Sequence, residues 1–593
     1  MIRTPLRPLA RILEARDKGE NPDAIERENL RLRHEQMRDK MRGRAESRLL
    51  VMGILFFCGF LMVGTRMALL ASTDPEEPQA TVRSAQIVSQ RADIVDREGR
   101  ILATNMQTNH LYAHPQDMVD PVHTAKELVK IFPELKEERL LKDFTGKRKF
   151  LWIRRQLSPE QVQAVHDIGE PGLNFGPRET RLYPNGSIAS HILGGASYGR
   201  EGVASAEVVG IAGVEKVYDE FLRDPSNGSQ PLQLSLDLTV QAAAEKVLEG
   251  GMMLMNAKGA AAVVMDIKTG ELISLVSLPD FDPNNRPVPL TKGSAGDSPL
   301  FNRAVQGVYE LGSTFKLFAA AQALELGLVT PETKLDTKGP LRWGRFRIRD
   351  FHNYGSQLSV TETIVKSSNI GTARLALLIG TERQKDFLDR LGLLDKPTVE
   401  ILEASGAKPL TPKKWSELSS LTISYGHGLS VSPVHLAGAY ASVLNGGTRV
   451  NPTLLKQSGP QNGERIVSER TSAQVRSMLR QVVTKGTASF GEVPGYAVAG
   501  KTGTADKPKP TGGYYKDKVI ATFASVFPAH DPKYVVIVTL DEPEDRMSDE
   551  PRRTAGWTAV PVAAELIGRI APLMGLRPEV EPAAVGEVTL ASH

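Results

Sequence analysis

The sequence predicts a multidomain α+β protein carried on one membrane-spanning helix. Three observations support this. Its 593 residues suffice for roughly two to four domains with ample core. A single apolar run, Leu49 to Leu70, approaches the ~20 residues that cross a bilayer. Between residues 231 and 575, strand-like stretches stand at both ends of a helical middle, a pattern that suits an antiparallel sheet flanked by helices.

Residues 1–48 are a basic leader, crowded with arginine from Arg3 to Arg48, whereas Asp74, Glu76 and Glu77 follow the span at 49–70. That asymmetry predicts a cytoplasmic N-terminus and places everything after Leu70 outside. Arg66 lies close enough to the end of the span to snorkel to the interface. A cleavable signal peptide is the competing reading, but the apolar core is too long for one and the leader far exceeds a normal n-region. Cys58, the only cysteine, falls inside the span, so the exported part has no disulfide and no cysteine-built metal site. Within 21–48, Ile25, Leu30, Leu32, Met37 and Met41 are too loosely spaced for a heptad; a solvated helix or disorder is expected. Residues 71–84 are polar and punctuated by proline, as in a linker. A net charge of +4 is mild for this length and argues against a nucleic-acid binder.

The segment 85–230 opens with Arg91-Ala-Asp-Ile-Val-Asp-Arg-Glu-Gly-Arg-Ile-Leu-Ala103, whose alternation around Glu98-Gly99 reads as a hairpin. It holds no convincing acid/base pair. From Leu232 the text changes. A helical pattern over Val240–Met255 precedes a strand at Gly259–Met265, a turn at Lys268-Thr-Gly270 and a second strand at Glu271–Leu278. Helices are expected around Phe315–Leu328 and Val434–Leu444, and strands at Tyr496–Ala499, Val519–Val526 and Tyr534–Leu540. Residues 576–593, rich in proline and alanine, read as a loose tail.

The chemistry concentrates in three short motifs. Ser313 and Lys316, in Glu310-Leu-Gly-Ser-Thr-Phe-Lys-Leu-Phe318, place a hydroxyl and an amine one helical turn apart on one face. A desolvated lysine there takes the proton that makes serine a nucleophile. Ser367-Ser-Asn369 and Lys501-Thr-Gly-Thr504 follow, in the order that serine acyl-transferases of the penicillin-binding and β-lactamase type require.

With Asn302–Glu310 leading into the serine and Ile423-Ser-Tyr-Gly-His-Gly-Leu-Ser430 between the second and third motifs, the chain resembles the class B penicillin-binding proteins. The Tyr-Gly-His-Gly run looks like their division-specific, FtsI-type branch. Arg91–Ala103, Arg181–Gly194 and Gly213–Tyr218 resemble the family's pedestal, and the resemblance runs from about Arg91 to about Leu576. Two departures are Leu311, where relatives usually carry proline, and Ala92, where glycine is commoner.

This resemblance implies an elongated, dimerisation-type pedestal at 85–230 and a penicillin-binding transpeptidase domain at 231–575. It also implies a septal D,D-transpeptidase that crosslinks peptidoglycan stem peptides ending in D-Ala-D-Ala and is a target of β-lactams. Ser313 would be the nucleophile and Lys316 its base. Ser367 would relay a proton to the leaving amine, and Asn369 would hold the lysine and the substrate amide. Lys501 would meet the donor carboxylate, and Thr502, Gly503 and Thr504 would bind substrate. The backbone N–H groups of Ser313 and Thr504 would form the oxyanion hole. No metal or cofactor is implied. Expected partners are the membrane, an FtsW-type glycan polymerase and other division proteins. A small-residue face at Gly53, Gly59 and Gly64 offers close helix packing in the span. The expected place is the bacterial inner membrane, single-pass and enriched at the septum, with the catalytic domain periplasmic.

Other readings are weighed against this one. An elongation-type transpeptidase, a D,D-carboxypeptidase or a β-lactamase or sensor would share all three motifs, and an inactive division scaffold would need to have lost one. Gly495-Tyr-Ala-Val-Ala-Gly-Lys-Thr502 is a complete Walker A pattern, and Val535–Glu542 mimics a Walker B strand. A P-loop needs a helix starting at the Lys-Thr, which Gly503, Pro508, Pro510, Gly512 and Gly513 forbid. Gly195-Ala-Ser-Tyr-Gly199 fits a hydrolase elbow but lacks the strand and helix around it, so a structural turn is expected. His191 and His427 lie beside glycines and are assigned no catalytic part.

Overall fold

The computed structural model describes residues 7–72, 91–198, 208–227, 230–509, 511–547, 550–579 and 581. They fall into two compact units, 7–72 and 91 onward. The first unit is two helices, Arg7–Asp17 and Pro22–Ser72. The second runs unbroken through the basic segment and into the apolar one. Residues 21–48 are thus helical beyond Asn21, and Arg31–Glu35 is an i,i+4 pair on that helix. Its stretch Arg48–Ala68 is 21 residues long and apolar, with its side chains unburied. At 1.5 Å per residue it is about 30 Å long, the thickness of a bilayer's hydrocarbon core. Most of the expected linker, 73–84, lies outside the described residues.

The larger unit opens with the expected hairpin. Ile94–Val95 pairs antiparallel with Ile101–Ala113, with Gly99 in the turn at φ +82°. Ile94–Val95 also pairs in parallel with Leu232–Gln233, so the expected boundary at 230/231 falls between hydrogen-bonded partners. Ala92, Ile94, Leu102, Tyr183 and Val214 are buried in one continuous core with Leu232, Leu234 and the catalytic sheet. Arg91 anchors this base through an ionic cluster. Its guanidinium meets Glu215 at 2.6 Å and Asp219 at 2.7 Å, while Arg181 meets Glu215 at 2.6 Å. Arg91, Arg181 and Glu215 are buried, and pairing is what allows charges there. A separate small core gathers Leu111, Leu128, Phe132, Phe144, Leu157 and Val165.

The catalytic sheet has five strands in the order Ala499–Pro508, Tyr514–Phe527, Tyr534–Asp541, Gly259–Asp266, Leu272–Leu278, each neighbour antiparallel. The central strands are buried along nearly their whole length and are rich in Val, Ile and Ala, as strands covered on both faces must be. Helices Leu238–Leu254 and Ala559–Leu573 pack on one another, and Pro433–Leu444 is entirely buried beside the sheet. The Lys501–Thr504 motif therefore lies on an edge strand.

Three sequence expectations change. The strand placed at Tyr496–Ala499 is loop, and the strand begins at Ala499 and carries the Lys-Thr-Gly-Thr run itself. Gly195–Tyr198 is no turn: it is a strand paired with Val208–Ala212. The tail does not leave the domain at 576. The Glu579 amide donates to the Gly495 carbonyl at 2.9 Å, and Glu581 pairs with Arg480 at 2.7 Å.

Candidate active site

The nucleophile motif is split between two kinds of turn. Gly312–Phe315 is a 3-10 turn and Lys316 opens the helix Lys316–Glu325. Ser313 is partly exposed, whereas Thr314, Phe315 and Lys316 are buried. Tyr440, fully buried, donates its hydroxyl to the Thr314 carbonyl at 2.8 Å and so fixes the turn from beneath. Among the described residues, the Ser313 hydroxyl makes no hydrogen bond and is free to attack.

Lys316 and Lys501 are each 0% exposed, and both converge on Ser367. The Lys316 ammonium nitrogen lies 3.1 Å from the Ser367 hydroxyl and also meets the Ser367 carbonyl. Lys501 Nζ lies 2.9 Å from the same hydroxyl. Burial, then the neighbouring Lys501 charge, push Lys316 well below the ordinary lysine range; Asp350 opposes them only in part. Burial alone brings Lys501 down to about 7. Two charged ammonium groups on one hydroxyl would repel each other in a dry site, so the geometry favours one neutral amine and one cation. Ser367 has φ +60°, a left-handed conformation that costs a non-glycine residue on the order of 1–3 kcal/mol and persists only when its surroundings enforce it.

Asp350 fixes the residues that follow Ser367. It accepts hydrogen bonds from the Ser368 hydroxyl (2.7 Å) and from the backbone amides of Asn369 (2.6 Å) and Ile370 (3.0 Å). It thereby covers the N-terminus of the helix Asn369–Ile379, where orphan amides need an acceptor. Asn369 does not hold Lys316: its side-chain amide donates to the Arg349 carbonyl at 2.9 Å, and among the described residues its oxygen has no partner. The lysine is held instead by Ser367.

On the edge strand, alternation sends Lys501 and Gly503 to one face and Thr502 and Thr504 to the other. A β-carbon on Gly503 would overlap the Leu311 carbonyl, and one on Gly312 (φ +56°) would lie 2.7 Å from the Thr504 oxygen. Strand and nucleophile turn thus touch backbone to backbone, and that contact sets the Thr504 backbone against the residue preceding Ser313. This packing requires glycine at 503. Thr502 is buried with its hydroxyl 2.7 Å from that of Thr487. The Thr504 hydroxyl accepts the Ala555 amide at 3.0 Å, which leaves its own proton free to donate.

Glu310 ties the remaining walls together. It meets His427 Nδ1 at 3.0 Å, the Gly428 amide at 2.8 Å and the Tyr514 hydroxyl at 3.0 Å. Burial pushes its carboxyl up, but these donors outweigh burial and hold it below the usual range. His427 is a strut here. His191 is buried against the Pro279 carbonyl, with burial lowering it to about 4, and makes no hydrogen bond to Lys316 or Lys501 among the described residues. Asp350, Thr487 and Tyr514 escaped the sequence reading, and Glu310 was in view only as part of the run around Ser313. As for the Walker-like run, Lys501 and Thr502 lie in a strand, with no helix to receive phosphates.

Comparison with known proteins covers both parts of the larger unit. A family model described as the penicillin binding protein transpeptidase domain matches residues 260–567, and one for the penicillin-binding protein dimerisation domain matches 86–234. The chain is 34% identical over 566 residues to a probable peptidoglycan D,D-transpeptidase FtsI of Caulobacter vibrioides, covering 93% of each chain. It is 32% identical over 545 residues to the probable peptidoglycan D,D-transpeptidase PenA of Neisseria gonorrhoeae, covering 86% of this chain and 90% of that one. With the peptidoglycan D,D-transpeptidase FtsI of Escherichia coli it shares 28% identity over 534 residues, 85% and 87% of the two chains.

Proposed function

This chain belongs to the penicillin-binding protein transpeptidases of the FtsI type, and from that membership we propose how its cleft carries out the reaction. The protein is a membrane-anchored peptidoglycan D,D-transpeptidase that acts on stem peptides and binds β-lactams. Its division into a pedestal at 85–230 and a transpeptidase domain at 231–575 is our reading, close to the two family matches.

In that reading Ser313 attacks the penultimate D-Ala carbonyl. Its hydroxyl proton passes to the neutral Lys316 amine as the Oγ–C bond forms. The oxyanion is met by the Ser313 and Thr504 amides, each such donor being worth roughly 3–4 kcal/mol in acyl transfer. Collapse breaks the C–N bond. The leaving D-Ala amine takes its proton through Ser367, which both lysines address. Lys501, charged below about pH 7, and the Thr504 hydroxyl receive the donor carboxylate. Asn369 offers its free oxygen to the donor amide, and the outer edge of Ala499–Pro508 receives the peptide as an added strand. An acceptor amine then attacks the Ser313 ester, the crosslinking amide forms, and the proton returns to the serine oxygen.

The convergence of two buried lysines on one hydroxyl carries this reading, because no merely structural role repays burying two lysine amines without a carboxylate partner among the described residues. We assign the enzyme to the septum from the FtsI-named relatives and the Tyr425–Ser430 run, with an FtsW-type polymerase as partner, a cytoplasmic N-terminus and the catalytic domain outside. Incubating the full chain in detergent with a D-Ala-D-Ala donor and an amine acceptor should release D-Ala and form crosslinked peptide. Release with only the hydrolysed donor would make it a carboxypeptidase.

A further inference from the structure

Arginines crowd one hairpin beside the active site, in Leu341-Arg-Trp-Gly-Arg-Phe-Arg-Ile-Arg-Asp350. Leu341–Trp343 pairs antiparallel with Phe346–Ile348, and Arg342 stands directly opposite Arg347. Like charges facing across a strand pair destabilise it. Among the described residues none of Arg342, Arg345, Arg347 and Arg349 has a carboxylate partner. All four are exposed. The hairpin's other face is fixed: Leu341 and Ile348 are buried against Ile370 and Ala373 of the helix that carries Asn369, with Trp343 packed beside them. Alternation therefore turns the arginines outward on a rigid mount.

The mount is joined to the chemistry. Arg349 and Asp350, at the hairpin's base, hold the side chain and backbone of Asn369, two residues beyond the hydroxyl that both lysines share. A recess of about 340 Å³ opens at this base, lined in part by Arg349, His352, Tyr354 and Thr337. Lys366 lies 5.9 Å from the Tyr354 ring, adding positive charge on that side. The one acid in the recess, Asp350, is occupied by three donors. Phe351, 84% exposed, projects beside it.

We propose that this hairpin and recess dock the acceptor stem peptide, with Arg342, Arg347 and Arg349 receiving its carboxylates. This rests on the transpeptidase reading, in which Lys501 on the edge strand already serves the donor carboxylate. The acceptor needs a second cationic site, on the wall that carries Asn369, to bring its amine to the Ser313 ester. Planar guanidinium groups bind carboxylates bidentately and fix orientation as well as charge.

The test separates the two half-reactions in the full chain. Labelling by a fluorescent penicillin needs Ser313 and no acceptor; crosslinking needs both. The R342Q/R347Q double variant should label at the wild-type rate. Its KM for a carboxylate-bearing acceptor peptide should rise about tenfold or more at unchanged kcat, the size expected for losing one charge-assisted contact. In the wild-type protein, amidating the acceptor's carboxylates should raise KM similarly, and the double variant, left with Arg349, should distinguish the two acceptors less than the wild type does. Normal labelling with acceptor KM within twofold of wild type, or no wild-type preference for the carboxylate form, would overturn the proposal. Absence of labelling in the wild type would instead overturn the transpeptidase reading beneath it.

Discussion

Lys316 and Lys501 reach the Ser367 hydroxyl from 51 and 134 residues away in sequence, and their burial has a kinetic consequence. Lys316 is held well below its ordinary value of 10.5 by burial and by the neighbouring Lys501 charge. Lys501, brought to about 7, is charged below that pH and neutral above it. The proposed mechanism needs the first neutral and the second charged, so kcat/KM for acylation, which reports the free enzyme, should fall as pH rises past about 7. Replacing Lys501 by arginine, which does not titrate in this range, should remove that alkaline limb; stopped-flow acylation from pH 5 to 9 measures it. These lysines were legible because each stands in a short motif with fixed spacing. Asp350 was not, since nothing local marks an acid 19 residues before Asn369 as the acceptor for its amide. Glu310, 117 residues from His427 and 204 from Tyr514, was invisible as a strut for the same reason.

The edge strand is where sequence expectation and structure part most instructively. Gly-Lys-Thr-Gly-Thr is poor strand material by propensity, so the strand was expected to end at Ala499, where it actually begins. What makes it a strand is tertiary: nine registered partners on Tyr514–Phe527, from Ala499↔Val526 to Pro508↔Tyr514, and close packing of Gly503 on Leu311. Central strands such as Gly259–Asp266 were legible because a continuous buried surface demands a continuous apolar run. The close contact yields a prediction. Gly503→Ala must push the strand off the Leu311 carbonyl and carry Thr504 with it. Misplacement of about 1 Å costs on the order of 10²-fold in such sites, so penicillin acylation should slow by about that factor. The variant should still unfold cooperatively; wild-type acylation would show that the contact does not set the oxyanion geometry.

At the scale of the whole molecule, the apolar helix, the pedestal base and the catalytic sheet divide the labour. Leu49–Leu70 and its basic leader were legible from hydropathy and charge alone. The merging of the pedestal base with the catalytic core was not, because the pairing of Ile94 with Leu232 spans 138 residues of unrelated text. If the enzyme serves the septum, depletion should give filaments with blocked constriction; wide, rounded cells that still divide would move it to elongation and leave its chemistry untouched. The proposed chemistry requires one acyl-enzyme, at one position. Treating the full chain with a labelled penicillin and mapping the adduct by mass spectrometry tests this most directly. The label should sit on Ser313, form orders of magnitude more slowly in Lys316→Ala, and be absent from Ser313→Ala. An adduct on Ser197, Ser367 or any other serine would contradict it.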